Sequence, residues 1–316
     1  MRRLTALVAF LVLVPATSAL GTELGELLER SQDASYSAEQ IISCVTPDGA
    51  RDALVSIDQS GGELRVSSSV TGDVEVTAGS GEWTLTRHGN EVAEASVGGG
   101  SAKSEPLYTV EDRGEVDYLG RDALAYLLVR DGQPRAELLV DEETGAFVEA
   151  VTLDIDGEIY CERRFVSFQA GETQVEELEA QPEEGLSPTV ASSPGLPEEL
   201  AGFELLDQYA DEDGVRFAYY SDGFFSFAVF ETEQAVALPG AATIELGSGS
   251  YRRVFTAGQV TYVWETLAGG LALVGDLPPD LHEAVLAELP HPQDPGFFRR
   301  WWRNLFGYGD PPKAVL

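Results

Sequence analysis

The chain has 316 residues, 43% of them hydrophobic, and carries 54 acidic against 20 basic side chains for a formal charge of −34. That hydrophobic content excludes a disordered polymer and supplies cores for two domains of ordinary size. The charge excludes a nucleic-acid-binding body and repels an anionic bilayer, its ordinary meaning being a solvated surface that keeps a protein soluble.

Residues 1–19 open with Arg2 and Arg3, run apolar from Leu4 to Val14, and close on small residues with Thr17 and Ala19 at the −3 and −1 positions of a cut. This is the pattern of a secretory signal peptide, and its apolar run is too short to span a bilayer. Cleavage removes two arginines and no acid, which leaves 18 basic against 54 acidic residues and a charge of −36. The mature chain is expected to be exported, periplasmic or otherwise extracytoplasmic, with any membrane contact peripheral.

After the signal, TELGELLERSQDA (22–34) places Leu24, Leu27 and Leu28 at helical spacing behind Thr22 as a cap, and reads as a short amphipathic helix. Short β-branched or aromatic runs follow: QIISCV, ALVSIDQ, ELRVSSSV, DVEVTA and EWTLTRH, separated by Gly61-Gly62, Thr71-Gly72-Asp73 and Gly79-Ser80-Gly81 turns. Beyond a loop at 97–104 come VDYLG, DALAYLLV, RAELLVD, AFVEAVTLDI and EIYCERRFVSF. About ten antiparallel strands plus one helix argue for a single curved sheet or open barrel rather than parallel βαβ units.

Cys44 and Cys161 both lie in strand-like runs. In an oxidising compartment an even pair implies one disulfide closing a long loop, with two buried thiols as the alternative.

Composition shifts at 172–198, rich in Glu, Pro and Ser and poor in aromatics, which marks a linker. A second domain follows, with strand candidates FELLDQYADEDG, VRFAYY, FFSFAVFE, YRRVF, VTYVWETL and LALVGDL and a closing helix at 279–289. The expected division is a signal at 1–19, a first domain at 20–171, a linker at 172–195, a second domain at 196–290 and a tail at 291–316. The tail contains FFRRWWRNLF, in which Phe297, Trp301 and Leu305 form one helical row and Phe298, Trp302 and Phe306 the next, with Arg299, Arg300 and Arg303 on the other face. Three readings stay open for it: a helix docked on its own domain, an interfacial helix with its rings at the headgroups, and a clasp for a protein at the membrane surface.

Reaction machinery is absent from the sequence. His88, His282 and His291 lie far apart and in no metal-ligating spacing. Gly79-Ser80-Gly81 and Gly247-Ser248-Gly249 are turns, not nucleophile elbows, and GGGSAKS (98–104) has Ala102 where a phosphate loop needs glycine. The chain is therefore read as a non-enzyme with no catalytic residue, no metal and no cofactor.

The stretch VRFAYYSDGFFSFAVFE (215–231) reads as a β-hairpin turning at Ser221-Asp222-Gly223, where Asp caps the turn and Gly takes positive φ. It resembles the signature hairpin of the C-terminal domain of the MucB/RseB family, exported regulators of extracytoplasmic sigma factors. Residues 116–168 are similar to that family's N-terminal domain: Tyr118-Leu119-Gly120-Arg121, a strand ending in Asp141, a Thr144-Gly145 turn, and a return through Asp156-Gly157 to Phe165 and Phe168. Leu196-Pro197 and Gly275-Asp276-Leu277-Pro278 also fit, so the resemblance covers most of 108–290. It does not reach the tail, and Cys44 has no counterpart in it.

The resemblance implies a mainly β, α+β fold: a LolA-like antiparallel half-barrel with a helix and an apolar cavity beneath a helix or loops, then a smaller antiparallel sheet-plus-helix domain. It implies binding of a membrane-bound anti-sigma factor through Tyr220, Ser221, Asp222, Gly223, Phe224 and Phe225, protection of that partner from proteolysis, and sensing of a lipid or envelope-stress ligand. The alternative on the same fold is a lipid or lipoprotein carrier.

Overall fold

The computed structural model describes residues 23–292 except for 47–48, 61–62, 69–73, 80–81, 88–89, 97–106, 172–185, 189–195, 212–215, 233–239, 248, 257–258 and 267–268. Residues 1–19 read as a signal peptide, the 98–104 loop, most of the stretch read as linker and the aromatic run at 297–306 therefore lie outside the described residues, as do the turns at 61–62 and 71–73.

Helix α1 (Glu23–Asp33) has Glu23 and Glu26 in its first turn and Arg30 in its last, the arrangement the helix dipole favours. Its buried stripe is Leu24, Leu27 and Leu28. Eleven strands follow: β1 (Tyr36–Thr46), β2 (Gly49–Ser60), β3 (Glu63–Ser68), β4 (Val74–Gly79), β5 (Glu82–Arg87), β6 (Asn90–Ser96), β7 (Thr109–Tyr118), β8 (Arg121–Arg130), β9 (Gln133–Asp141), β10 (Phe147–Leu153) and β11 (Ile159–Ala170). They form one sheet in the order β6-β5-β4-β3-β2-β1-β11-β10-β9-β8-β7. Every neighbour is a sequential hairpin partner except β1 and β11, which pair antiparallel along their length and join two meanders. This is the antiparallel sheet with a helix that the sequence pattern implies. β6 carries no strand signal of its own; it is drawn into the ladder by its partner β5, since pairing outweighs propensity in a short polar segment.

The junction of the two meanders is also covalent. Cys44 on β1 and Cys161 on β11 lie opposite each other in register and are joined by a disulfide, 117 residues apart in sequence and buried in the first core. Farther along the same ladder Tyr36, Phe165 and Phe168 pack with ring centroids 5.4 to 5.7 Å apart.

The Tyr-Leu-Gly-Arg element is a structural clamp. Arg121 donates from Nε and Nη2 to the two carboxylate oxygens of Asp141 at 2.6 and 3.1 Å, and Asp141 Oδ1 accepts from the Thr144 backbone N–H and hydroxyl at 2.8 and 2.7 Å. Tyr118 donates to the Phe165 carbonyl at 2.9 Å, and the Arg121 guanidinium lies over the Phe168 ring. The clamp thus binds the β7–β8 turn to the β9–β10 turn and to the central strand. Its planar fork on a buried carboxylate is the pairing for which arginine is suited.

The second unit comprises β12 (Leu186–Pro188), β13 (Glu199–Leu200), β14 (Phe203–Asp211), β15 (Arg216–Ser221), β16 (Ser226–Thr232), β17 (Ala242–Leu246), β18 (Gly249–Thr256), β19 (Gln259–Glu265) and β20 (Gly270–Gly275), closed by helix α2 (Pro279–Glu288). The sheet order is β12-β14-β15-β16-β20-β19-β18-β17, with β13 on β14. β12, β13 and β17 are short segments that the sequence pattern does not mark; β12 falls within the stretch read as linker. α2 starts on Pro279, where the ring's fixed φ fits and a missing N–H leaves nothing unpaired. No helix among the described residues is long and apolar enough to cross a membrane.

Replacing both cysteines, Cys44→Ala with Cys161→Ala, is expected to lower the unfolding free energy by about 2–5 kcal/mol, the usual range for a disulfide closing a long loop. Urea unfolding of the double variant beside the oxidised parent measures it; the far-ultraviolet spectrum should be retained, because the β1–β11 ladder does not need the bridge.

Candidate functional site

The two sheets share one core. A single buried cluster runs from Leu24, Leu27 and Leu28 of α1 through Leu128, Leu138 and Val140 of β8 and β9 to Leu200, Phe203, Tyr220, Phe225 and Leu286 of the second unit. Apolar contact of this kind is not directional. The orientation of the two units is set by polar contacts along the seam.

At the centre lies the β15–β16 turn. Gly223 takes φ +93° and Asp222 Oδ1 accepts from the backbone N–H groups of Phe224 and Phe225 at 3.0 and 2.8 Å, so the aspartate closes its own turn. Its other oxygen faces the first unit, where Tyr108 donates to Oδ2 at 2.7 Å and Arg130, at the end of β8, forms an ion pair with it. Asp222 is buried; burial pushes its carboxyl up, while the Tyr108 hydroxyl, Arg130 and the two turn amides pull it back. The Arg130 guanidinium lies over the rings of Tyr108 and Phe203, 6.0 and 5.7 Å from their centroids. Gly202 leaves it that space: a Cβ there would stand 2.7 Å from Nη2 of Arg130, and the φ of +81° already disfavours any other residue.

Two further bridges repeat the pattern. Arg163 of β11 donates to Asp276 at 2.8 Å, and Arg135 of β9 donates to both oxygens of Asp280 in the first turn of α2 at 3.2 and 2.9 Å. In all three the arginine comes from the first sheet and the aspartate from the second unit. Asp276 is buried like Asp222, and burial pushes its carboxyl up against the opposing pull of Arg163.

Beside these bridges the seam holds a cavity of about 470 Å³. Tyr160, Thr46 and Arg51 of the first sheet form one wall; Phe255, Tyr262 and Arg253 of the second form another, with His282 and Glu283 of α2. His282 is buried, and burial, with Arg253 adding to it, pushes its imidazole down to about 3. Its ring packs against Tyr262 with centroids 5.2 Å apart. The cavity is thus at the seam, while α1 contributes its leucines to the shared core.

The structure places the residues read from the sequence as follows. Tyr220, Ser221, Asp222, Phe224 and Phe225, expected to bind a partner, are buried at the seam, with Gly223 between them. The reason is the dense run of rings itself: Tyr220 stacks on Phe227, and Phe224 and Phe225 both pack edge-on to Tyr108. Tyr220 also donates to the carbonyl of Pro197 at 2.8 Å, which ties the Leu196-Pro197 element to the hairpin. Cys44 and Cys161 lie in the first core, against which Phe255 of the second unit also packs. Phe297, Phe298, Arg299, Arg300, Trp301, Trp302, Arg303 and Phe306 lie outside the described residues. Sequence reasoning missed Tyr108, Arg130, Arg135, Arg163, Asp276 and Asp280 as a set. Charged residues inside apolar strands, as in LLVRDG and EIYCERRF, were the available signal, because an arginine amid buried neighbours must find a partner. Among the described residues no three His, Cys, Asp or Glu side chains gather as metal ligands.

No protein-family model matches the chain, and no curated protein matches it either. Among solved structures it is similar to the complex structure of Pseudomonas aeruginosa MucA/MucB, at 20% identity and a TM-score of 0.51, covering 86% of this chain and 100% of that chain. It also matches a crystal structure of MucB, at 19% identity and a TM-score of 0.47 over 84% of this chain and 97% of the other. A crystal structure of MucB in complex with MucA(peri) matches at 23% identity and a TM-score of 0.44, over 83% and 95%. The first of these extends over both sheets, so the chain shares its two-unit fold.

Asp222→Ala takes from Arg130 its buried counter-charge, leaving it only the exposed Asp131, and leaves two turn amides without an acceptor; the expected loss is about 3–5 kcal/mol, read by urea unfolding. His282 has a second signature. Its folded value lies below its unfolded one, so its contribution is complete above the unfolded value of 6.5 and is lost as pH falls toward about 3. Between pH 7 and pH 5 the chain should lose about 2 kcal/mol of stability through this residue, and a His282→Leu variant should lack that part of the slope.

Proposed function

We propose that this chain is an exported, non-enzymatic regulator of the MucB/RseB kind. It binds the extracytoplasmic part of a membrane-bound anti-sigma factor, shields it from proteolysis, and lets it go when a lipid or envelope-stress ligand is sensed. The observation that carries the reading is the shared fold with a MucA/MucB complex structure over both units and the full length of that chain. Support from the residues is independent of it: the hairpin at 215–231 and the Gly275-Asp276-Leu277-Pro278 element, quoted above for their likeness to the family, both supply an aspartate to the seam.

In this reading the hairpin tip is not the docking surface. It is the latch that sets how the two units are held, and a partner that prefers one arrangement acts through it. The carrier alternative is less well supported, because α1 places Leu24, Leu27 and Leu28 in the core that a carrier would keep open for acyl chains. The aromatic tail is assigned to contact with the membrane surface or with a partner anchored there.

The test is capture from the source organism's own membranes with the mature chain, crosslinked and identified by mass spectrometry, with and without residues 293–316. A single-pass anti-sigma factor recovered by both forms is the expected result. Recovery of lipids or lipoproteins alone would replace the regulator with a carrier. Added to a trypsin digest, the chain should slow cleavage of the captured ectodomain at least several-fold.

A further inference from the structure

The seam holds arginines in two situations. Arg130, Arg135 and Arg163 each meet an aspartate across it. Arg51, on the wall of the cavity, has no ion-pair or hydrogen-bond partner among the described residues. It stands opposite Cys44 in the β1–β2 ladder and so shares the face that carries the first core. A second guanidinium comes from the other unit: Arg253 lies opposite Tyr262 in register and donates to its hydroxyl. Its charge acts on Tyr160, Tyr262 and His282, all of which line the cavity. In a chain with 54 acidic against 20 basic side chains, two arginines on one cavity from opposite sheets make a pocket of positive potential in an acidic body.

The charge balance sets the class of guest. Among the described residues Glu283 is the only carboxylate on the wall, so Arg51 and Arg253 leave two positive charges less one negative, a balance of +1. His282 does not alter it at pH 7, because burial keeps the imidazole neutral. Burial also pushes the phenols of Tyr160 and Tyr262 up, so both stay uncharged donors. One negative charge completes this wall, and the planar fork of arginine matches a carboxylate. The other lining is apolar: Leu246, Val260 and the rings of Tyr160, Phe255 and Tyr262, around a volume of about 470 Å³ that suits a small organic molecule. Rings on the wall favour a ring in the guest through edge and face contacts.

We infer that the seam cavity is a binding site for a small aromatic monocarboxylate, its anionic end between Arg51 of the first sheet and Arg253 of the second unit and its ring among Tyr160, Phe255 and Tyr262. Such a guest adds a fourth charged link across the seam. It differs from the three aspartate bridges in that the protein supplies a cation from each side and the ligand supplies the anion. A guest held this way touches both units and steadies their arrangement, whichever macromolecule the chain regulates.

The experiment titrates the mature chain by calorimetry with 4-propylbenzoate, its neutral isostere 4-propylbenzamide, and 4-propylphenyl phosphate. The benzoate should bind about tenfold more tightly than the amide, the difference a charge-assisted pair of hydrogen bonds makes, and raised salt should narrow that gap. Arg51→Gln should weaken the benzoate about fivefold and leave the amide within about twofold, since only the charged probe uses the guanidinium. Because Arg51 is exposed and bonded to nothing described, the variant should unfold in urea at the same midpoint as the parent. The unaltered protein supplies a second readout: its thermal midpoint should rise with the benzoate and stay in place with an equal concentration of the amide. Equal affinities for benzoate and amide, binding of neither, or an Arg51→Gln variant that weakens both alike would each overturn the site. Tighter binding of the phosphate than of the benzoate would overturn the monocarboxylate as its ligand.

Discussion

A carboxylate shut away from water is the constraint on which the arrangement of this molecule rests. Asp222 is buried, and an ion in such a place is tolerated only when every lone pair is answered. Its own turn answers one oxygen through Phe224 and Phe225; the other is answered from the first unit, by Tyr108 and Arg130. Closing the hairpin and docking the two sheets are thus one process seen from its two sides. The apolar core that crosses the seam supplies most of the attraction, but hydrophobic contact tolerates sliding, whereas a guanidinium held over two rings beside a carboxylate does not.

The same logic recurs at Arg163 with Asp276 and at Arg135 with Asp280, always with the cation on the first sheet. An excess of acid over the whole chain makes this a sensible division: aspartates are plentiful, and two of the three seam arginines meet one that is buried. Within the first unit, Arg121 and Asp141 do the equivalent work between two turns. The elements of sequence that carry the family resemblance are therefore structural joints, which explains how a fold can persist at 20% identity to a solved structure. A seam held by a few oriented polar contacts has discrete alternatives, while a seam of grease alone has a continuum.

Much was legible in the sequence. The 3.6-residue stripe of α1, the alternation in the long strands and the Ser221-Asp222-Gly223 turn all follow from local chemistry, and the turn forms as its residues require: Asp222 caps it and Gly223 supplies the positive φ. Segments whose strand character comes from a neighbour were not legible. β6 and β17 are edge strands with weak propensity, ordered by the ladder beside them. The side on which the hairpin tip faces was also out of reach: a run of rings beside an aspartate reads equally as a docking surface or as a buried joint until its partner atoms are known.

What the sequence alone determined is whatever depends on residues close in the chain: the mainly antiparallel β character, the two helices, the turns, and the hairpin at 215–231. Tertiary structure alone decided which distant residues meet. Tyr108 and Arg130 reach Asp222 across 114 and 92 positions, Arg163 reaches Asp276 across 113, and His282 comes to line a cavity opposite Tyr160. No local pattern encodes such encounters, because each is set by how two sheets pack, and the electrostatics of a buried group depends on everything that excludes water from it.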